Sequence, residues 1–293
     1  ALVPVFAEFP EALHFSVAGP VNSAVDWAAV HLYFITSWVR DDLIREFGLA
    51  PVQFSLTWLP WPVTVIGVTA LAYPIAGRRM AILSAAALLF FGFGGVWDLA
   101  MHTLSQVMVA LALSVVLGVA VGIWASQSDA VELALRPILD TMQTMPVFVY
   151  LIPVIMLWGS GPIAGIIATV IYALPPAIRM TSLGIRLVPR ATVETAISHG
   201  STRLQMLLRV QIPLAMPTVK MGVNQTIILA LAMVIIGGLV GGGGLGEEVY
   251  VSAVYMDMGQ GFVAGMSIVL MAMVLDRVSH GKGPRGQAFV LEK

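Results

Sequence analysis

The sequence contains no cysteine and few charged residues, and each absence excludes a class of protein. Without cysteine, a disulfide framework, thiol chemistry and a cysteine-bound metal site are excluded. Charged residues make up only 11% of the 293 positions, whereas a soluble domain carries roughly 25%. Hydrophobic residues make up 58%, more than a soluble, disordered or coiled-coil chain of this length contains. The composition therefore predicts an all-α integral membrane protein.

Seven apolar runs approach the roughly 20 residues that a helix needs to cross the hydrocarbon core. Strands with open edges are excluded there, because lipid cannot satisfy unpaired backbone groups. The seven predicted transmembrane helices cover about 58–76, 80–97, 100–125, 142–158, 162–180, 214–240 and 261–277. The prolines that predict breaks or static kinks in the fourth and fifth of these are Pro146, Pro153, Pro175 and Pro176.

Charge is also absent from the middle of these runs. The ionisable residues near them, all at their ends, are His102, Arg179, Lys220, Asp276 and Arg277. A proton-coupled carrier keeps titratable groups in its interior, so this absence argues against a proton antiporter. The sequence also lacks a selectivity filter, a voltage-sensor helix, a phosphate-binding loop and an H-E-x-x-H metal site. We therefore expect no enzyme and no nucleic-acid partner, and any ATP hydrolysis must occur on another chain.

A shorter apolar stretch precedes the first predicted span. Trp27 to Val39 has only 13 residues, too few to cross a bilayer. Its aromatic residues recur near helical spacing, which predicts an N-terminal amphipathic helix on the membrane or against the bundle. The predicted domains are an N-terminal extracytoplasmic segment over 1–57, a transmembrane domain over 58–280 and a cytoplasmic tail over 281–293.

Lysine and arginine predict the orientation, because loops rich in them stay in the cytoplasm. The stretch between the fifth and sixth predicted spans carries Arg186, Arg190, Arg203 and Arg209. The loop between the sixth and seventh predicted spans has acidic residues and no lysine or arginine, and residues 1–57 carry more acidic than basic side chains. With an odd number of spans, we expect the N-terminus outside and the C-terminus in the cytoplasm.

The stretch 189–213 carries a local pattern of its own. Pro189 can open a short helix and Gly200 can end it, since glycine takes the left-handed position that follows a helix. Ser201 or Thr202 can then cap a second helix. Two short helices joined at a glycine outside the bilayer would suit docking to a partner. The alternative is an ordinary basic cytoplasmic loop.

This stretch resembles the EAA motif of ABC importer permeases. The positions that carry the resemblance are Glu194, Thr195, Ala196, Gly200, Val210, Ile212 and Pro213. Thr195, Val210 and Ile212 replace the alanine, isoleucine and leucine of the family pattern. The resemblance continues in RPILDTMQTMPVFVYLIPVIMLWGSGP, YALPPAIRMTSLGIR and GGLGEEV, and there it is to permeases of glycine betaine/proline importers. It covers about 100–279 and implies a type I ABC importer permease fold.

The resemblance also implies partners. Two permease chains, as a homodimer, would form the pore in the lipid of a bacterial inner membrane, and two copies of a cytoplasmic ATPase would drive it. ATP and Mg would bind those ATPases, and this chain would hold no cofactor. A periplasmic binding protein would deliver a betaine-like methylated amine for uptake by alternating access. Choline, proline, trimethylamine N-oxide or a sulfonium analogue are alternative substrates, and a stand-alone secondary carrier is an alternative of another class.

Two further groups of residues are candidates for a transport role. The polar residues and the proline that are candidates for the translocation path are Gln143, Thr144, Pro146, Asn224, Gln225 and Thr226. Their alternative role is hydrogen bonding between helices, which is common in membrane bundles. The glycines that are candidates for a hinge or outer gate are Gly241, Gly242, Gly243 and Gly244, and their alternatives are close helix packing or a plain loop.

Overall fold

The computed structural model describes residues 18–58 and 60–280, and this part of the chain forms helices without strands. The N-terminal part contains α1 (Ala18–His31), α2 (Tyr33–Ser37), a π-helical segment (Trp38–Leu49) and α3 (Ala50–Trp58). A hairpin follows, made of α4 (Trp61–Ala76) and α5 (Arg78–Phe93). The next four helices are α6 (Trp97–Gln127), α7 (Asp129–Thr144), α8 (Val147–Trp158) and α9 (Pro162–Arg186).

The C-terminal half begins outside the main bundle and returns to it. Its elements are α10 (Arg190–Ser198), α11 (Arg203–Met206), a π-helical turn (Leu207–Gln211), α12 (Ile212–Gly237), a 3-10 turn (Gly238–Val240), α13 (Gly244–Val254) and α14 (Met258–His280). The prediction of an all-α chain is confirmed.

Four stretches of the described chain are long and apolar enough to cross a membrane. They are Trp97–Gln127, Pro162–Arg186, Arg203–Val240 and Met258–Ser279. A fifth crossing results if the bent pair α7 and α8 counts as one span, and α4 is a shorter apolar helix. The count of seven therefore stays a prediction.

The run predicted as a span over 142–158 is broken at Pro146, one of the prolines that predict a break or a kink, and its crossing of the membrane stays a prediction. Helix α7 ends at Thr144 and α8 begins at Val147, with a bend of 101° between them. Met145 and Pro146 are both extended, with ψ of 136° and 142°. For Met145 this follows from the proline after it, because proline disfavours the helical conformation in the residue before it.

The other prolines of these spans do not break their helices. Pro153 lies inside α8, and Pro175 and Pro176 lie inside α9, which continues from Pro162 to Arg186. In a membrane bundle, neighbouring helices can stabilise the backbone around an internal proline. Most of the apolar window of α9 is buried, so the helix is supported along its length.

Helix α9 packs closely against both α6 and α12 through glycines. A Cβ atom on Gly122 of α6 would lie 2.6 Å from Cβ of Thr181. One on Gly222 of α12 would lie 2.6 Å from Cβ of Met180. These contacts require glycine, because small residues allow helix backbones to approach closely in membranes. Helices α6, α9 and α12 therefore form a tight three-helix centre.

The N-terminal segment lies against this centre. Nε1 of Trp158 donates to the carbonyl of Thr36 at 2.9 Å, and Ile44 is only 2% exposed in a cluster that includes Val109. The helix predicted over Trp27–Val39 is interrupted, since α1 ends at His31 and α2 begins at Tyr33. Phe34 is 81% exposed, as a side chain facing lipid would be. Contact with the membrane stays a prediction, as does the division into domains, and 1–17 and 281–293 lie outside the described residues.

Candidate functional site

Helices α6 and α9 run parallel to each other and α12 runs antiparallel to both, which defines the two ends of the bundle. Nη2 of Arg186 donates to the carbonyl of Ala125 at 2.9 Å, so the C-terminal ends of α6 and α9 lie together. At the opposite end, the amide of Gly161 donates to the carbonyl of Val240 at 3.2 Å. We call the first the basic end, after Arg186 and the arginines of α10 and α11, and the second the glycine end, after 237–244.

Helices α10 and α11 form the predicted elbow at the basic end. The φ of Gly200 is +77°. The amide of Ser201 donates to the carbonyl of Ala196 at 3.1 Å and that of Gly200 to Ile197 at 2.9 Å, the paired bonds of a Schellman helix end. Thr202 then caps α11 in a reciprocal box with Gln205. The local structure predicted for 189–202 is confirmed.

The elbow presents a largely exposed surface. Helix α10 contains no buried residue, and Glu194 and Thr195 are exposed. Exposed apolar side chains continue the surface along the elbow at Ile197, Leu204 and Leu208. Such a mixture of apolar and charged exposed groups is typical of a protein-binding face.

Two recesses lie at the elbow. Ala196 lines a shallow, open one between α10 and the π-helical turn, together with Thr195 and Val210. Glu194 lines another of about 330 Å³, together with Arg186. The remaining residues of the motif lead into α12, where Ile212 is half-buried and Pro213 occupies the first turn. Of the seven motif residues, the structure brings Thr195, Ala196 and Val210 together in one recess and places Glu194 beside Arg186 in the other. Their role in coupling stays a prediction.

Arg186 joins its own helix, α9, to both α6 and α7 beside the elbow. The sequence did not predict these contacts. Besides its bond to Ala125, its Nη1 lies 2.5 Å from Oδ1 of Asp129 and its Nε lies 2.7 Å from Oε2 of Glu132. Arg179, two turns earlier in α9, pairs with Asp140 farther along α7 at 2.5 Å. Arginine suits this position because its planar fork donates in several directions at once. Helix α7 is therefore attached to α9 at two points.

The candidate path residues lie in two separate places. Gln143, Thr144 and Pro146 are exposed at the bend between α7 and α8, where the hydroxyl of Thr144 donates to the carbonyl of Asp140 at 3.1 Å. The other group lies on α12, and among the described hydrogen bonds none joins the two groups.

On α12, Asn224 accepts a 3.0 Å bond from the hydroxyl of Ser279 in α14. Thr226 is buried and donates to the carbonyl of Gly222 in its own helix at 3.0 Å. Gln225 is exposed. Asn224 thus makes a helix–helix bond, and a path role for either group stays a prediction.

The glycines at the glycine end form a braced turn. Nε2 of Gln106 donates to the carbonyl of Gly242 at 2.5 Å, and the amide of Leu245 donates to the hydroxyl of Thr103 at 2.8 Å. A Cβ atom on Gly244, whose φ is +72°, would lie 2.3 Å from that hydroxyl oxygen. The start of α6 therefore holds this turn in place. A hinge or gate at Gly241–Gly244 stays a prediction.

Neither end provides an evident metal centre. Within the described ranges, no group of three or more histidine, aspartate or glutamate side chains is arranged to hold a metal ion.

Residues 114–280 match the protein family described as the binding-protein-dependent transport system inner membrane component. The chain belongs to this family. Its members are membrane components rather than ATPases, so this chain is the permease subunit of an ABC transporter, placed in the inner membrane.

Two relatives of known name match this chain along nearly its whole length. The glycine betaine/proline betaine transport system permease protein ProW of Escherichia coli (strain K12) is 39% identical, over 94% of this chain and 80% of that protein. The glycine betaine transport system permease protein OpuAB of Bacillus subtilis (strain 168) is 44% identical, over 93% of this chain and 97% of that protein.

A third relative is named for a different substrate. The trimethylamine N-oxide transport system permease protein TmoV of Ruegeria pomeroyi is 39% identical, over 75% of this chain and 34% of that protein.

The fold has a counterpart among solved structures. The inward-facing MetNI methionine ABC transporter superposes with a TM-score of 0.53 at 22% identity, over 63% of this chain and 94% of that one. At this identity the likeness concerns the fold alone. The predicted type I ABC importer permease fold is confirmed.

Proposed function

We propose that this chain is the permease of an ATP-driven importer for glycine betaine and related methylated amines. The observation that carries the proposal is the likeness to ProW and OpuAB, which extends over more than nine tenths of this chain. It includes the elbow and the glycine turn as well as the central helices. A zwitterion such as betaine has no net charge, which suits spans without ionisable residues at their middle.

The elbow formed by α10 and α11 is the proposed docking face for the ATPase. We infer one ATPase on each of two permease chains, with ATP and Mg bound by the ATPases. Glu194 would make polar contacts with the partner, Ala196 would permit close approach, and Gly200 would set the angle of the elbow. Because Glu194 and Arg186 share one recess, displacement of the elbow would reach the ends of α6 and α9 and drive alternating access.

Charge distribution supports the proposed orientation, with the N-terminus outside and the C-terminus in the cytoplasm. The basic end carries Arg186, Arg190 and Arg203, and Glu247 and Glu248 lie beside the glycine turn. Lysine and arginine concentrate on the cytoplasmic side of membrane proteins. A periplasmic binding protein would then meet the glycine end. Selection of the methylated ammonium group would occur mainly on that protein, where an aromatic cage can act through cation–π attraction.

Reconstitution tests the proposal directly. The permease is placed in proteoliposomes with its ATPase inside and its binding protein outside, and uptake of labelled glycine betaine is measured. We expect uptake only when ATP and all three components are present. Uptake by the permease alone would instead identify a secondary carrier and contradict the proposal.

Trimethylamine N-oxide is a second candidate substrate, because TmoV is 39% identical to this chain over 221 residues. Competition in the same assay separates the two. An excess of unlabelled betaine should abolish uptake, while trimethylamine N-oxide, choline and proline should compete more weakly. The reverse order with trimethylamine N-oxide would assign that substrate instead.

A further inference from the structure

A cavity of about 330 Å³ lies between α7 and α9 at the basic end. Much of its wall is apolar and includes Leu135, Leu139 and Ile178. Helix α7 also exposes Leu133 and Ile138, as an amphipathic helix at a membrane surface does. The cavity therefore lies where a lipid headgroup and the first part of its acyl chains would be.

The rim of the cavity carries both signs of charge. Nη2 of Arg136 lies 3.4 Å from Oε1 of Glu132, a weak contact, and Nη2 of Arg179 lies 2.5 Å from Oδ1 of Asp140. A guanidinium has five N–H donors, so both arginines retain donors beyond these contacts. Asp140 is exposed, and its carboxylate has lone pairs left to accept further bonds.

We propose that this cavity binds the headgroup of a phospholipid that carries both a phosphate and a primary ammonium. Arg136 and Arg179 would hold the phosphate, since arginine matches phosphate oxygens with paired donors. Asp140 would accept the ammonium.

The rim and walls favour this headgroup over others. Arg186 also lines the cavity but is paired with Asp129 and Glu132. Asp140 is therefore the exposed carboxylate that a headgroup would meet. A purely anionic headgroup has no cation to offer Asp140. A trimethylated ammonium cannot donate a hydrogen bond to that carboxylate. Apolar walls offer little to a free phosphate ion. The inference rests on the membrane placement of the family and is independent of which substrate is transported.

Lipid retention by the full chain tests the site. The protein is purified from nanodiscs containing equal amounts of phosphatidylethanolamine, phosphatidylglycerol and phosphatidylcholine, and bound lipid is counted by native mass spectrometry. We expect preferential retention of phosphatidylethanolamine. Arg136→Gln should weaken retention about tenfold, as loss of a charged hydrogen bond does.

Controls separate the cavity from the membrane surface in general. Arg79→Gln removes an exposed arginine at the start of α5, and it should leave retention unchanged. Free phosphoethanolamine, which presents the same headgroup without acyl chains, should not displace the lipid at millimolar concentration.

Three results would each overturn the proposal. They are equal retention of the three lipids, a loss of lipid in Arg79→Gln as large as that in Arg136→Gln, and full retention of lipid by Arg136→Gln. Displacement of the bound lipid by free phosphoethanolamine would assign the cavity to a soluble ligand and overturn its assignment to a phospholipid. Because lipid is counted without transport, these outcomes are distinct from a failure of the betaine assignment.

Discussion

Arg186 at the end of α9 donates a 2.9 Å hydrogen bond to the backbone carbonyl of Ala125, near the end of α6. The same guanidinium pairs with Asp129 and Glu132 at the start of α7. One side chain thus connects three helices beside the elbow. The two carboxylates differ in environment, because Glu132 is 31% exposed and Asp129 is 86% exposed.

This difference predicts unequal effects of two matched substitutions. Glu132→Gln should lower the free energy of unfolding by about 1–2 kcal/mol, because a half-buried charged hydrogen bond is lost. Asp129→Asn should change it by less than about 0.5 kcal/mol, since exposed ion pairs contribute little. Thermal unfolding in detergent compares the two variants. A larger effect of Asp129→Asn would show that Arg186 does not act through the more buried carboxylate.

The contacts of Arg186 could not be predicted from the sequence. Gly200 and Thr202 were predictable because a helix end and a cap are set by residues a few positions apart. The partners of Arg186 lie 54 to 61 positions away in the chain, and only packing of α6, α7 and α9 brings them together. Pro146 predicts a break or a kink, but a local pattern does not specify the 101° angle between α7 and α8.

Gly200 should be essential to the shape of the elbow. With φ of +77°, Gly200→Ala should cost about 1–2 kcal/mol locally and change the angle between α10 and α11. We expect uptake to fall while ATP hydrolysis by the reconstituted complex persists. The measurement is the number of ATP molecules hydrolysed per substrate transported.

Gly67→Ala is the matched control for Gly200→Ala. Gly67 lies in α4 with open space around its Cα atom, so this substitution should leave the ratio unchanged. A normal ratio in Gly200→Ala would contradict a coupling role for the elbow.

Two glycines of the glycine turn should respond differently to alanine. Both have positive φ, +79° at Gly241 and +72° at Gly244, but a Cβ atom has open space at Gly241 and would lie 2.3 Å from Oγ1 of Thr103 at Gly244. Gly244→Ala should therefore be more destabilising than Gly241→Ala by about 1–3 kcal/mol. Unfolding midpoints measure the difference, and equal midpoints would show that α6 does not brace the turn.

Close packing of α6 on α9 predicts a last pair of variants. A Cβ atom on Gly122 would lie 2.6 Å from Cβ of Thr181 and 2.7 Å from the carbonyl oxygen of Ile178. Gly122→Ala must push the two helices apart, and overpacking of this kind costs roughly 1–3 kcal/mol. Gly92→Ala in α5, where nothing lies near the added atom, should be neutral or slightly stabilising, because alanine favours helix more than glycine. Since separation at Gly122 also displaces Ala125 from Arg186, we expect Gly122→Ala to reduce uptake as well as stability. Unchanged uptake in a destabilised variant would mean that transport does not depend on this helix pair staying in contact.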